Sequence, residues 1–186
     1  MNPPTIEVIL VDAEDRPVGT CEKLAAHVEG LLHRAVSAFL FDADGCWLLQ
    51  QRAEGKYHSG GLWSNAACTH PRVGESLEEA VRRAVREELG AEIDELRAAF
   101  PFLYRAAVGN GLVEHEFDHV FTARLAGAMS PQPGEVSAVR WCAADEVTRE
   151  LAAQPTTFTP WFRLLQPVVA AHRLQARGAA AGVARA

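Results

Sequence analysis

Hydrophobic positions along this chain recur at two spacings, one typical of strands and one of helices, which predicts an α/β fold. Seven runs have the composition of strands and end at glycine-, proline- or aspartate-bearing breaks. The predicted strands are residues 5–12, 35–42, 46–52, 62–68, 100–107, 112–125 and 136–142. The second and third flank Asp42-Ala43-Asp44-Gly45, a loop of hairpin type, so we expect them to pair.

The helical spacing is clearest after Ser76. Ser76 and Glu79 fit the S-x-x-E pattern of a capping box, and Gly90 suits the end of a helix. Between them, apolar residues recur on one face: Leu77, Ala80, Val81, Ala84, Val85 and Leu89. Two further helices are predicted at residues 144–153 and 160–173, the second with proline at its first position.

The composition is that of a single globular domain. The chain has 186 residues, 48 % of them hydrophobic and 23 % charged, so we expect one domain over residues 1–174 and a disordered, alanine- and glycine-rich tail at 175–186. A formal net charge of −6 without a basic block argues against nucleic acid as a partner. We find no signal-peptide pattern, no bilayer-length apolar run and no C-x-x-C pair, so we expect a cytoplasmic protein with reduced cysteines, away from membranes.

The predicted helix carries two carboxylates near its end. Glu88 follows Ala84 by one turn and therefore emerges along the apolar stripe, while Glu87 lies at its edge. A buried carboxylate needs a partner, and Mg²⁺ shared with a diphosphate would serve. The alternative is that both acids lie on the surface and pair with Arg83 or Arg86.

Two short patterns place reactive groups on common faces of extended chain. Cys68 and His70 are two residues apart, as are Glu114 and Glu116, so each pair shares a face. In the predicted strand at residues 112–125, Leu112 and Asp118 lie on the same face as Glu114 and Glu116. This face could equally be a solvated surface.

Other candidate site residues are scattered through the sequence. His27 and His33 flank a short segment, and together with carboxylates they suit Mn²⁺, Mg²⁺ or Zn²⁺, although spacing alone leaves convergence open. Three cations, Lys23, Arg52 and Lys56, could bind an anion or simply be solvated. Tyr104 and Trp161 are either core aromatics or, for the indole, a face for a cation.

Together these residues resemble the type 1 isopentenyl-diphosphate delta-isomerases, a branch of the Nudix fold. The resemblance covers about residues 5–165, and its most specific part is the Asn-x-x-Cys-x-His-Pro segment at 65–71 combined with Glu-x-Glu at 114–116. Weaker matches are Gly19-Thr20-Cys21-Glu22-Lys23, Ala25-Ala26-His27, His33, Trp63-Ser64-Asn65, Gly74-Glu75-Ser76, Tyr104-Arg105, Arg140-Trp141-Cys142 and Pro160-Trp161.

The resemblance implies an α/β Nudix fold with a mixed β-sheet sandwiched between helices. The Nudix core would span about residues 34–165, preceded by an N-terminal strand and a histidine-bearing segment. The Nudix pattern itself matches at Glu75, Arg83, Glu87, Glu88 and Gly90. Two positions depart from it: Thr69 replaces a glycine, and Ala84 replaces a glutamate that Nudix hydrolases use to hold metal.

The implied activity is the interconversion of isopentenyl diphosphate and dimethylallyl diphosphate by an allylic proton shift in isoprenoid biosynthesis. Glu116, hydrogen-bonded to Tyr104, would protonate the alkene; Cys68, as thiolate, would take a proton from the other side. Trp161 would face the carbocation. By the same resemblance, one Mn²⁺, Zn²⁺ or Mg²⁺ would bind His27, His33, His70, Glu114 and Glu116.

The resemblance also assigns the diphosphate end of the substrate. Glu88 would bind an Mg²⁺ carried with the diphosphate, whose oxygens would contact Lys23, Arg52, Lys56 and Arg83. We expect a monomer or weak dimer. The alternative functions are a Nudix diphosphate hydrolase, against which Ala84 argues, and a catalytically silent metal- or ligand-binding domain.

Overall fold

The structure is a computed structural model that describes residues 6–183, with side chains described as far as residue 176. Within these residues it has nine strands, four α-helices and one 3-10 turn. The strands are β1 Glu7–Val11, β2 Pro17–Glu22, β3 His33–Phe41, β4 Trp47–Arg52, β5 Trp63–Ser64, β6 Ala67–Thr69, β7 Glu92–Gly109, β8 Leu112–Ala126 and β9 Val136–Cys142. The helices are α1 Lys23–Glu29, α2 Leu77–Leu89, α3 Ala144–Ala153 and α4 Pro160–Val183, with the 3-10 turn at Pro155–Thr157.

All nine strands form one mixed sheet in which β3 is central. β3 pairs in parallel with β8, so that His33 lies opposite Glu116 and Phe41 opposite Arg124. Its other partners are antiparallel: β6, with Cys68 opposite Ser37, and the N-terminal strand β1. β6 and β8 thus lie on the two sides of β3, which brings distant parts of the sequence together.

The sheet separates two hydrophobic cores, as a helix-sheet-helix sandwich requires. On one face, α2 packs its buried residues Ala80, Val81, Ala84, Val85 and Leu89 against even-numbered residues of β3. On the other, Phe158, which follows the 3-10 turn, and Phe162 and Leu165 of α4 pack against Phe39 and Phe41 of β3. The predicted fold class is confirmed.

Helix α2 begins and ends where the sequence predicts. The Ser76 side chain accepts a hydrogen bond from the Glu79 N–H, the Glu79 carboxylate accepts one from the Ser76 N–H, and Gly90 is in the left-handed conformation. A side chain at Gly90 would be strained by that backbone and would place a Cβ 2.3 Å from the Ser130 carbonyl oxygen. The helix end is therefore fixed by a contact as well as by backbone geometry.

Several predicted elements have different bounds in the structure. The expected hairpin closes at Phe41 opposite Trp47, but β4 pairs mainly with β9. The predicted strand at 62–68 is two short strands, β5 and β6, because these residues pair first with β4 and then with β3.

The N-terminal region is more regular than its mixed pattern indicates. It forms β2 and α1, the latter capped by the Glu22 carboxylate, which accepts from the N–H groups of Leu24 and Ala25. β7 begins at Glu92, eight residues before the predicted start at Phe100.

The last helix also extends beyond its predicted end. α4 continues to Val183, so the expected disordered tail is helical over residues 175–183, while residues 184–186 lie outside the described part. Among the described residues, no helix combines the length and apolar character needed to cross a bilayer.

Candidate active site

A cavity of about 460 Å³ opens on the face of the sheet that carries Cys68 and the even-numbered acids of β8. Most predicted site residues line it: Lys23, Arg52, Lys56, Cys68, His70, Arg83, Glu88, Tyr104, Glu114, Glu116 and Trp161. The remaining two, His27 and His33, are fully buried beside it. The structure therefore brings together groups that the sequence leaves far apart.

Side chains alternate along β8 as predicted, with the even-numbered residues on one face. Glu114, Glu116 and Asp118 are all buried, so the solvated alternative for this face is wrong. Helix α1 packs against this strand, and its residue His27 lies against Glu114. Three buried acids in a row require compensating groups.

Histidines supply that compensation at Glu114. Its Oε2 lies 2.9 Å from His27 Nε2 and 3.8 Å from His33 Nε2. His33 Nε2 is in turn 3.1 Å from His70 Nε2. One ligand atom from each of His27, His33, His70 and Glu114 can be chosen so that all lie within 4.8 Å of one another.

The hydrogen bonds at Nδ1 of His27 and His33 fix the orientation of each ring and the position of its hydrogen. His27 Nδ1 lies 2.5 Å from the Lys23 carbonyl oxygen, and His33 Nδ1 lies 2.8 Å from that of Leu31. A carbonyl only accepts, so each Nδ1 carries the hydrogen and a neutral ring turns its Nε2 lone pair inward. Metal-ligating histidines make this same backbone contact.

The inward-facing Nε2 lone pairs and the Glu114 carboxylate together favour binding of a positive ion between them. His27 Nε2 and Glu114 Oε2 are buried and face each other over 2.9 Å, and with the His27 hydrogen on Nδ1 neither atom has a donor, as expected for atoms that coordinate an ion. Burial acts to lower the pKa of His33, but its hydrogen bonds with Glu116 and the Leu31 carbonyl, together with the charges of Glu116 and Glu114, outweigh burial and raise that pKa. Burial lowers the pKa of His70 to about 4, which keeps it a neutral ligand. This donor set fits a divalent transition metal.

Glu116 extends the cluster towards the cavity. Its Oε1 is 3.1 Å from His70 Nε2 and 3.7 Å from His33 Nε2, while its Oε2 accepts a 2.6 Å hydrogen bond from the Tyr104 hydroxyl. Burial and the charge of Glu114 act to raise the pKa of Glu116, but the histidine hydrogen bonds outweigh them and lower it. Glu116 is therefore ionised at neutral pH.

Cys68 lies on the other side of β3, with its sulfur held by polar neighbours. Asn65 Nδ2 donates to the sulfur over 2.9 Å, and Ser37 Oγ lies 3.4 Å from it. Burial, followed by the nearby charges of Asp118 and Glu88, raises the pKa of the Cys68 thiol. Cys68 is therefore protonated at neutral pH, whereas the family resemblance implies a thiolate that accepts a proton in the forward reaction.

Behind Cys68 is a buried acid that sequence reasoning placed on the correct face but gave no role. Asp118 is 0 % exposed, and its Oδ2 accepts a 2.7 Å hydrogen bond from the Ser37 hydroxyl. Burial and the charge of Glu116 raise its pKa well above the usual value. The only sequence signal is the alternation of β8, since Ser37 is 81 residues away.

Glu88 lies at the wall between the cavity and α2. Its Oε2 accepts a 2.6 Å hydrogen bond from Gln50 Nε2, its Oε1 accepts one from the Cys68 N–H over 3.3 Å, and burial raises its pKa to about 7. The alternative in which Glu88 lies on the surface and pairs with an arginine is wrong, because its partner is Gln50. One turn earlier, Ala84 is packed in the core at 2 % exposure.

The cations form one side of the cavity. Lys56 pairs with Glu135, and the Arg52 guanidinium lies 5.2 Å from the centre of the Trp161 ring. Burial lowers the pKa of Lys23, whose ammonium is 5.3 Å from the Tyr57 ring centre.

Arg83 is engaged differently from the other cations. Its Nε and one terminal nitrogen donate to the two oxygens of Glu75 over 2.7 and 2.9 Å, and another contacts Glu87 over 3.1 Å. Glu87 is therefore the helix carboxylate that follows the predicted alternative. Trp161 is buried and donates through Nε1 to Asn65 Oδ1 over 3.2 Å, which joins it to the residue that holds Cys68.

Tyr57, His58 and Glu135 are among the cavity residues that the sequence alone did not indicate. They lie in irregular segments, where neither strand nor helix periodicity assigns a face. The proximity of Tyr57 and His58 to Lys56 was the only available signal.

The fold and the carboxylate-bearing helix define a class of protein. Residues 31–162 match the NUDIX domain. Among solved structures, DR0079 from Deinococcus radiodurans is similar with a TM-score of 0.66 and 24 % identity, covering 80 % of this chain and 90 % of that one. The MutT NUDIX hydrolase from Burkholderia pseudomallei has a TM-score of 0.59 at 23 % identity, with 73 % and 96 % covered. The chain has a NUDIX fold.

More similar sequences identify the branch. The isopentenyl-diphosphate Delta-isomerase of Burkholderia multivorans is 51 % identical over 158 residues, 85 % of this chain and 89 % of that protein. The isopentenyl-diphosphate Delta-isomerase 2 of Aromatoleum aromaticum is 47 % identical over 176 residues, 94 % and 93 % of the two chains. The chain belongs to the isopentenyl-diphosphate Delta-isomerase family, which confirms the resemblance found in its sequence.

Proposed function

We propose that this chain interconverts isopentenyl diphosphate and dimethylallyl diphosphate by moving one proton on and another off an allylic unit. The single observation that carries the proposal is that Cys68 and the Tyr104–Glu116 pair line one cavity from opposite sides of β3. Relatives at 51 % and 47 % identity bear the name of this activity. An acid and a base with the substrate between them are what a proton shift requires.

In the forward direction, Glu116 gives its proton to the terminal alkene carbon, and the double-bond electrons form the new C–H bond. This leaves a tertiary carbocation. Cys68 then takes a proton from the carbon on the other side, whose C–H electrons form the new double bond. The reverse reaction uses the same groups with protons exchanged, and the thiol and carboxylate of the substrate-free site match that direction.

Two aromatic side chains serve the cationic stage. Trp161 lines the cavity and already carries the Arg52 guanidinium over its ring, so its face accepts positive charge. Tyr104 holds Glu116 by its 2.6 Å hydrogen bond. Exclusion of water by the buried walls protects the carbocation from capture.

A divalent metal held by His27, His33, His70, Glu114 and Glu116 would supply positive charge that fixes the two carboxylates of β8. Candidates are Mn²⁺, Zn²⁺ and Mg²⁺, all compatible with imidazole and carboxylate ligands. A separate Mg²⁺ held by Glu88 would accompany the diphosphate, whose oxygens contact Lys23, Arg52, Lys56 and Arg83. For Lys56 and Arg83 this requires release from Glu135 and Glu75, their present partners.

The test is incubation with isopentenyl diphosphate and Mg²⁺ in D₂O, followed by NMR. Formation of dimethylallyl diphosphate with deuterium incorporated at carbon supports the proposal. Release of inorganic phosphate from the same tube or from nucleoside diphosphate derivatives would instead identify a hydrolase, which the buried Ala84 disfavours. An unchanged substrate without exchange would identify a silent binding domain.

The remaining parts of the proposal concern the setting of the reaction. We expect the enzyme to act in the cytoplasm, where four cysteines without a disulfide in the structure stay reduced. We expect it to act as a monomer or weak dimer on a small isoprenoid diphosphate, without nucleic acid or membrane. Size-exclusion chromatography with light scattering measures the oligomeric state.

A further inference from the structure

His58 lies beside the histidine-carboxylate cluster but makes a different contact from the ligands. Its imidazole is buried at 4 % exposure, and its Nε2 is 3.1 Å from Glu114 Oε1. The opposite carboxylate oxygen, Oε2, is the one that faces His27 and His33. One oxygen of Glu114 therefore meets His58, and the other meets the candidate metal ligands.

Hydrogen bonding assigns His58 the opposite tautomer to its neighbours. The hydroxyl of Ser59 lies 3.2 Å from His58 Nδ1 and can donate to it, unlike the carbonyls at the Nδ1 atoms of His27 and His33. Because Nε2 faces a carboxylate oxygen, which only accepts, the hydrogen resides on Nε2, and the Ser59 hydroxyl donates to Nδ1. His58 is thereby set up to donate a hydrogen bond to Glu114, whereas His27 and His33 offer lone pairs.

The surroundings fix the His58 ring in this orientation. Its centre is 4.3 Å from that of Tyr57 and 5.9 Å from that of Trp161, both edge-to-face. The loop that carries it is closed by a 3.0 Å hydrogen bond from the Gly61 N–H to the Arg52 carbonyl.

The same loop also has a steric constraint. A Cβ at Gly60 would lie 2.5 Å from the Glu54 carbonyl oxygen, so the backbone follows a path open to glycine. Close packing at Gly60 therefore restricts the backbone of the loop that carries His58.

We propose that His58 is a positioning residue that holds Glu114 Oε1, so that Oε2 is presented to the metal. The inference rests on the metal site of the proposed function and adds a residue outside its ligand set. Carboxylate ligands are commonly held by such outer hydrogen bonds, and losing one weakens metal binding by roughly 10- to 100-fold. His58 thus acts on the metal through Glu114, without coordinating it.

The experiment compares two substitutions in full-length, metal-stripped protein. His58→Gln keeps a donor, since its amide nitrogen can occupy the place of Nε2, while His58→Leu removes it. We expect the Mn²⁺ dissociation constant, measured by calorimetry, to rise roughly 10- to 100-fold for His58→Leu and to change less than about threefold for His58→Gln. Pulsed EPR of bound Mn²⁺ should show the same imidazole nitrogen couplings in wild type and His58→Gln.

Several results would contradict the positioning role of His58. Wild-type affinity in His58→Leu overturns the positioning role, as does equal weakening in both variants or loss of a nitrogen coupling in His58→Gln, which would make His58 a ligand. If wild-type protein binds no Mn²⁺, the proposed metal site itself fails. Unfolding curves in chelator establish that each variant folds; His58→Asn, too short to reach Oε1, replaces the leucine variant if that one does not.

Discussion

The Tyr104 hydroxyl donates a 2.6 Å hydrogen bond to Glu116 Oε2, and the two residues lie directly opposite each other in the β7–β8 pair. The contact is therefore set by strand register. It leaves Oε1 of Glu116 to the histidines and Oε2 to the phenol, so each carboxylate oxygen has a separate environment.

Tyr104→Phe should lower kcat by about 10- to 100-fold, because a buried carboxylate without its donor costs about 1–3 kcal/mol. The protein should remain folded, since the ring and its packing are kept. Steady-state kinetics and thermal unfolding measure the two effects. An unchanged kcat would remove Tyr104 from the proton path.

Cys68→Ala and Glu116→Gln should each reduce isomerisation by orders of magnitude, because each removes one end of the proton shift. Product formation is followed by NMR in D₂O, with circular dichroism to verify folding. Cys46→Ala is the matched control, since Cys46 is a free thiol outside the cavity and its loss should leave the rate unchanged. Near-normal turnover by either site variant would contradict the mechanism.

Chelation should abolish activity, because it would remove the ion that we propose binds between the inward-facing histidine nitrogens and Glu114 Oε2. After removal of EDTA, Mn²⁺, Zn²⁺ and Mg²⁺ are added back singly and in pairs, and the rate is measured. We expect full recovery to require both Mg²⁺ and an ion at the histidine site. Full activity in excess chelator would mean that catalysis needs neither.

Glu88 should make metal-free stability pH-dependent. Burial raises its folded pKa to about 7 from an ordinary 4.5, so the folded state binds more protons between these values. The stabilising contribution is present at low pH, and the free energy of unfolding falls as pH rises from about 4.5 to about 7, by roughly 1–3 kcal/mol for a partly exposed group.

The measurement for Glu88 is urea unfolding in EDTA at pH 5 and pH 8. In Glu88→Gln, the free energy of unfolding should fall less between these pH values than in wild type. Glu87→Gln, one residue away and exposed, should behave as wild type. Identical pH slopes for wild type and Glu88→Gln would show that the carboxyl titrates normally.

Local pattern was enough to predict part of this fold. Ser76 and Gly90 predicted the two ends of α2 because helix caps depend on atoms close in sequence. Period-two alternation placed Glu114 and Glu116 on one face of β8. The same alternation included Asp118, although its neighbour Ser37 comes from another strand. Its role was invisible without that strand pairing.

The residues alone could not show that the histidines and carboxylates of the site meet in space. His33 meets Glu116 only because β3 and β8 pair in parallel, and a one-residue slip would turn these side chains to the opposite face. His58 was missed because its loop has no periodicity to assign a face. Family resemblance supplied the expected ligand set, while the coordinates add the tautomers and hydrogen bonds that organise it.

The parallel pairing of β3 with β8 also determines when during folding a metal could bind. His27, His33, His70 and Glu114 belong to segments that meet only when the central sheet is complete. An ion would bind the finished native state and scarcely stabilise earlier species, so it should lengthen the lifetime of the folded enzyme without hastening its formation.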